Sequence, residues 1–146
     1  MALRKSRAVT LGYTIESLLI SFPVVCFTLA LVTDIIYWRT SFLMWTEFSS
    51  WLLFFGLVVG AVAALVCIIG FLVRAEHRTP LFWPYALSGA LVLILAIFNS
   101  FVHSADGWTS VVPVGLALSA ITVVVMLVTG WFGFSRLAAP GGRRHG

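Results

Sequence analysis

Two acidic residues, Glu16 and Asp34, lie within the first long apolar stretch of the chain, where burying a charge in lipid is costly. They are 18 positions apart, about 27 Å and close to five helical turns, so they share one helix face but lie near its opposite ends. A proton or ion path along that face is one interpretation. The other is a pair of interfacial residues near the helix ends, and we favour it because neither carboxylate lies near the middle of the stretch.

A second set of polar residues is expected at the end where Asp34 lies. His103 ends the third apolar stretch, and Asn99 precedes it by one helical turn on the same face. We therefore predict a cluster of Asp34, Asn99 and His103, with Arg39 as a further candidate. Such a cluster either ties the first and third helices together by hydrogen bonds, which we favour, or forms a site for a ligand such as a quinone headgroup.

The three histidines do not by themselves predict a metal or haem site. His77 is expected in a loop, His103 at a membrane boundary and His145 in the C-terminal tail. Two axial haem ligands must face each other at similar depth. No such pair is expected, so we predict no metal and no cofactor. Haem binding stays open as an alternative if a neighbouring subunit, or an unusual ligand such as Tyr85, completes the site.

Nucleophilic catalysis is not predicted either. No serine lies in a G-x-S-x-G motif. Both cysteines, Cys26 and Cys67, fall inside apolar stretches and lack the spacing of a disulfide framework or a metal site. We interpret them as small apolar packing residues, and we expect no catalytic residues and no enzymatic activity.

Small residues recur at four-residue spacing in two of the apolar stretches. Gly56, Gly60 and Ala64 follow this spacing in the second stretch, and Gly115 and Ser119 follow it in the fourth. In lipid, such faces let helices approach closely, so packing drives their association. We predict helix packing at both faces, either within one bundle, which we favour, or against another subunit.

The elements that position these residues are four apolar stretches. The chain has 146 residues, of which 61% are hydrophobic and 10% charged, whereas soluble domains have about 25% charged residues. About 20 residues of helix cross a bilayer core about 30 Å thick, and unbroken apolar stretches favour helices over a barrel. The predicted spans are about Thr14–Trp38, Ser49–Val73, Leu81–His103 and Ser110–Phe132.

The basic residues predict the orientation of these spans. Eight of the nine Lys and Arg residues lie in the N-terminal tail (1–13), the second loop and the C-terminal tail (134–146), and only Arg39 lies in the first loop. The positive-inside rule therefore places both termini in the cytoplasm. With short loops, this predicts an all-α, up-down antiparallel four-helix bundle over residues 14–133, with a basic N-terminal tail and a flexible basic C-terminal tail. Such flanking charges favour lipid and exclude nucleic acid as the partner.

Two short motifs resemble those of a known family. The first motif is Ser-Phe-Pro at positions 21–23, with Asp34 eleven positions after the proline. The second motif is Trp-Phe-Gly, which begins at Trp131. The pattern resembles the bacterial membrane family "domain of unknown function 2231", which has four predicted spans, a first span typically reading His-Pro-x-x-Val-x-Phe-Pro and then Asp, and an ending Gly-Trp-x-Gly. The resemblance covers nearly the whole chain and implies a bacterial inner-membrane protein. The motif residues are Phe22, Pro23, Asp34, Gly130, Trp131 and Gly133.

This chain departs from the family pattern at positions that bear on cofactors. The family's first histidine falls on Glu16 and the following proline on Ser17, while a second family histidine falls on Tyr85. Phe134 stands where a second glycine is usual. If the family's histidines bind haem or metal, this chain has lost that site. The resemblance implies a link with membrane-associated dehydrogenases in some members, and it supplies no established activity.

Together these features predict a non-catalytic accessory subunit that packs in the membrane with lipid and with other membrane subunits or copies of itself. A respiratory complex is the setting that the family analogy suggests. One alternative is a small homo-oligomeric transporter or channel, with Glu16, Asp34 and Pro23 along the path. A second alternative is a membrane redox carrier that binds haem.

Overall fold

The computed structural model describes residues 2–73, 82–105 and 111–138, and all of its regular structure is helical. Side chains at positions 2–14, 16, 82 and 132–138 are not described. Four long helices follow one another in the described part of the chain. They are α1 (Ala2–Thr40), α2 (Met44–Val73), α3 (Phe82–Ser104) and α4 (Leu116–Ala138), with a π-helical turn at Val111–Gly115 before α4.

The described residues contain four helical segments that are long and apolar enough to cross a membrane, and the fourth begins in the π-helical turn before α4. A crossing needs about 20 apolar residues, and the four segments range from 21 to 30 residues. The predicted all-helical fold with four spans is therefore confirmed, within a few residues at most boundaries. The segments are Ser17–Thr40, Met44–Val73, Trp83–Ser104 and Val111–Trp131.

Helix α1 is longer than a membrane crossing requires. Its 39 residues extend about 58 Å, roughly twice the thickness of a bilayer core. The backbone of the basic N-terminal segment is thus helical from Ala2, whereas the expected span begins near Thr14. The helix ends at Ser41, which has a positive φ of 57° and donates its N–H to the carbonyl oxygen of Tyr37 at 2.7 Å. This is the left-handed arrangement that commonly closes helices.

Helix α4 has features at both ends that the sequence did not predict. Before α4, Val112 has non-helical backbone angles (φ −118°, ψ 124°) within the π-helical turn, and the Val112–Pro113 bond is cis. At its other end α4 continues to Ala138, so the predicted end of the domain at Gly133 falls inside the helix. The predicted second loop and most of the predicted third loop lie outside the described residues, which leave out 74–81 and 106–110.

The apolar core lies between α1 and α2 and extends to α3. Phe27, Ala30, Leu53 and Ala96 are buried together. Helix α1 packs on α2 and α4, and α3 packs on the same two helices. Most other large apolar side chains of the described residues are exposed on the outside of the bundle, as expected where lipid rather than water is the surrounding solvent.

Candidate functional site

The carboxylate of Asp34 is the centre of a buried polar network. Its side chain is completely buried, on the last two turns of α1. Its Oδ1 accepts a hydrogen bond from Ser49 Oγ at 2.5 Å and lies 2.9 Å from Nε2 of His103. Its other oxygen, Oδ2, accepts a hydrogen bond from Ser119 Oγ at 2.6 Å. Three groups from three other helices therefore converge on one carboxylate.

His103 is held by a contact at each ring nitrogen. Nε2 faces Asp34, and Nδ1 lies 3.0 Å from the backbone carbonyl oxygen of Asn99, one turn earlier in α3. The imidazole is 1% exposed. Its orientation is thus fixed between its own helix and α1.

Asn99 and Thr33 extend the network on either side of Asp34. Asn99 donates from Nδ2 to Ser119 Oγ at 2.7 Å. Thr33 Oγ1 lies 2.7 Å from Ser49 Oγ and 2.9 Å from the carbonyl oxygen of Ala30. We call these six residues the Asp34 cluster; they are Thr33, Asp34, Ser49, Asn99, His103 and Ser119.

The cluster links all four helices at one end of the bundle. It joins the C-terminal parts of α1 and α3 to the N-terminal parts of α2 and α4. Buried polar groups in lipid are costly unless they are paired, and here they pair with one another. Each helix that separates from the others would leave a carboxylate, an imidazole or a hydroxyl without its partner, so the cluster opposes separation of the helices.

One buried polar atom in the described residues has no hydrogen-bond partner. It is Oδ1 of Asn99, whose residue is 1% exposed. The hydroxyl of Ser119 has a single hydrogen and donates it to Asp34, so Asn99 must present its N–H₂ group to Ser119 and turn Oδ1 away. The neighbour on that side is Gly115: a methyl group built on it would lie 3.5 Å from Asn99 Oδ1 and 3.0 Å from His103 Cε1.

The structure brings together three of the four residues of the predicted cluster, namely Asp34, Asn99 and His103. Arg39 does not join them: it is exposed, and its guanidinium lies over the Trp38 ring, 5.1 Å from the centroid. The reason is helical geometry, because five residues turn the chain by about 140° beyond one full turn and place Arg39 on another face from Asp34.

Three members of the cluster were not predicted as polar-site residues. Thr33 and Ser49 were not singled out, and Ser119 was proposed only for packing. Hydroxyl residues are frequent in these spans and usually bond to their own helix, as Thr28 does to the carbonyl oxygen of Val24. Their type alone therefore carries little signal. The one sequence feature that indicated a polar role for any of them is that Thr33 directly precedes Asp34.

The small-residue faces point into the bundle. A methyl group built on Gly56 would lie 2.6 Å from Phe27 Cε1, and one on Gly60 would lie 2.7 Å from Leu93 Cδ2. Ala64 is only partly buried. Gly115 packs beside His103, and Ser119 bonds to Asp34. In the described structure these faces therefore serve contacts within one chain.

The family-like motif residues are spread along the bundle. Pro23 is buried and lies near Gly60, whereas Phe22 and Trp131 are exposed and Gly130 faces open space. Only the helical backbone is described at Gly133, and the side chain of Glu16 is among those that the structure does not describe. Tyr85 is exposed on α3. Among the described side chains, no group of three or more His, Cys, Asp or Glu residues could hold a metal ion.

Four membrane-length helices joined by a buried polar cluster define a multi-pass helical membrane protein. Residues 12–141 match the family described as "Predicted membrane protein (DUF2231)", and the chain belongs to that family. The family resemblance inferred from the first-span and final motifs is therefore confirmed. No curated protein and no solved structure matches the chain.

Proposed function

We propose that this protein is a non-enzymatic membrane subunit: an up-down four-helix bundle that assembles with a second membrane protein in the bacterial inner membrane. The observation that carries the proposal is the closure of the Asp34 cluster. Its carboxylate and its imidazole are each at most 1% exposed and bond to side chains from the other helices. A polar centre closed in this way stabilises the arrangement of the helices instead of presenting a reactive group to a substrate.

The arrangement of helix ends supports the proposed topology. Alternating ends meet at the Asp34 cluster, as an up-down bundle requires. Eight of the nine Lys and Arg residues lie in the segments that this topology puts on the side opposite the cluster. The positive-inside rule then places both termini in the cytoplasm and the cluster near the outer surface. Single cysteines at Ala2 and Phe42, in a chain without Cys26 and Cys67, test this through labelling with a membrane-impermeant thiol reagent.

The exposed small residues of α3 support assembly with a partner. Gly89 faces open space, with no atom within 4 Å of a methyl group built on it, and Ala86 and Ala90 beside it are exposed. Gly56 and Gly60 are already used inside the bundle. The α3 face is therefore a small-residue surface that remains available for close approach of a helix from another membrane subunit.

The experiment compares purified wild type with Gly89→Leu in a mild detergent, using native mass spectrometry to record the assembly. We expect wild type to retain a second membrane protein and Gly89→Leu to release it, because the larger side chain prevents close helix contact. Leu87→Phe is the matched control, since Leu87 is also exposed and lies on nearly the opposite face of α3. A monodisperse wild-type monomer without any co-purifying protein contradicts the proposal.

The transporter and haem alternatives have less support from the geometry. Pro23 and Asp34 are buried among side chains and do not line an open path. A flux assay on Asp34→Asn tests the transporter alternative directly. A visible absorption spectrum of the purified protein tests haem binding, because bound haem gives a Soret band.

A further inference from the structure

The hydrogen-bond contacts of His103 determine how many protons its ring must carry. Nδ1 lies 3.0 Å from the carbonyl oxygen of Asn99. A carbonyl oxygen only accepts hydrogen bonds, so Nδ1 must be the protonated donor. This contact uses the one ring proton that a neutral imidazole has.

The second contact of the ring then requires a second proton. Nε2 lies 2.9 Å from Oδ1 of Asp34. With Nδ1 already protonated, a hydrogen bond at Nε2 forms in two ways. Either an imidazolium donates to the carboxylate, or a protonated carboxyl group of Asp34 donates to a neutral imidazole. Both arrangements hold one proton between the two side chains and leave the pair with no net charge.

Loss of that proton leaves the ring with one proton for two acceptors and leaves a charge. In either tautomer of the neutral ring, one nitrogen lone pair would face a lone pair of Asp34 Oδ1 or of the Asn99 carbonyl oxygen, and the completely buried carboxylate would keep an unbalanced negative charge. Ser49 and Ser119 would still donate to Asp34, but neutral hydroxyls do not cancel a charge. Uncompensated charges are costly inside a membrane.

We propose that Asp34 and His103 form a buried proton-binding site, and that the closed cluster is its proton-bound form. Releasing the proton requires the ring to move away from Asp34. Gly115 leaves space beside the ring for this movement, because a methyl group in place of its hydrogen would lie only 3.0 Å from Cε1. The unpartnered Oδ1 of Asn99 lies beside the same glycine and offers an acceptor to the Nδ1 proton of a displaced ring.

The surrounding charges do not provide another counter-ion among the described residues. On α1, Tyr37 is buried and Arg39 is exposed over Trp38, and at the start of α2 Glu47 is exposed. The described side chains of α3 and of α4 up to Trp131 contain no ionisable group near this end besides His103. The proton shared with His103 is therefore what balances the charge of Asp34.

The test measures the protonation of His103 directly in lipid bilayers at neutral pH. The double variant with His77→Gln and His145→Gln retains His103 and removes the other two histidines of the chain. We expect ¹⁵N NMR to show a proton on Nδ1 and a second, strongly hydrogen-bonded proton at Nε2, shared with Asp34. Infrared spectra of the same sample distinguish imidazolium with carboxylate from imidazole with carboxylic acid, and both support the proposal. A ring that carries only one proton, on either nitrogen, together with an ionised Asp34 overturns it.

Two matched substitutions on α4 separate this role from general packing. Gly115→Ala crowds the ring, and we expect the shared-proton signal to be lost or shifted. Gly130→Ala adds the same methyl group where nothing lies within 4 Å, and we expect the signal to be unchanged. His103→Gln is a further control, because its amide can donate to Asp34 without binding an extra proton. Equal spectra for Gly115→Ala and Gly130→Ala contradict the proposed dependence of the site on the space beside Gly115.

Discussion

Nε2 of His103 lies 2.9 Å from Oδ1 of Asp34, although the two residues are 69 positions apart in the chain. The contact connects α1 to α3, which are not neighbours along the chain. It also completes a network in which Ser49 and Ser119 bond to the same carboxylate from α2 and α4. The stability of the bundle should therefore depend strongly on Asp34.

The first prediction concerns removal of this carboxylate. Asp34→Ala leaves an imidazole and two hydroxyls buried without their acceptor, so we expect a loss of about 3–5 kcal/mol in the free energy of unfolding. Asp34→Asn keeps a hydrogen-bonding side chain of the same size and should lose less. Unfolding in mixed detergent micelles, followed by circular dichroism, measures both. Glu47→Gln is the control, because this exposed carboxylate should change stability by less than about 1 kcal/mol. A similar loss for Glu47→Gln and Asp34→Ala contradicts the prediction.

The second prediction concerns the hydroxyl of Ser119, which accepts from Asn99 and donates to Asp34. Ser119→Ala removes both bonds. Interhelical hydrogen bonds in membrane proteins average about 0.6 kcal/mol and reach about 1.7 kcal/mol, so we expect a loss of about 1–3 kcal/mol for the two. Ser88→Ala is the matched control, since Ser88 bonds only to the carbonyl oxygen of Tyr85 within its own helix. If both variants unfold alike, the cluster does not hold the helices together.

The sequence predicted the number and type of helices well, because hydropathy over about 20 residues directly reflects immersion in lipid. It also predicted the grouping of Asp34, Asn99 and His103, since helix ends on the same side of a membrane must lie near one another. It wrongly included Arg39, although the five-residue spacing from Asp34 already placed that side chain on another helix face, where it lies over Trp38. It also missed Ser49, whose side chain bonds to Asp34 and Thr33 of α1.

The third prediction concerns the close contact between α1 and α2 at Gly56. A methyl group on Gly56 would lie 2.6 Å from Cε1 of Phe27, which is 1% exposed and has little room to move. Gly56→Ala should therefore destabilise the protein by about 1–3 kcal/mol through overpacking. Gly89→Ala, in open space on α3, should be neutral or slightly stabilising because alanine favours helix. Unfolding curves of the two variants provide the comparison, and equal destabilisation would show that the contact at Gly56 adapts without cost.

The last prediction concerns Ser41, where the chain leaves α1 with a left-handed backbone conformation, φ 57°. A side chain with a Cβ atom is strained there by about 1–2 kcal/mol, and glycine is not. Ser41→Gly should raise the free energy of unfolding by up to about 1 kcal/mol, after the greater flexibility of glycine in the unfolded chain is counted. The opposite sign is expected for Ser104→Gly, because Ser104 is the last helical residue of α3 and glycine disfavours helix. Unfolding measurements on both variants check this contrast. A loss of stability in both would contradict the prediction, because it would mean that serine is not strained at the left-handed position 41.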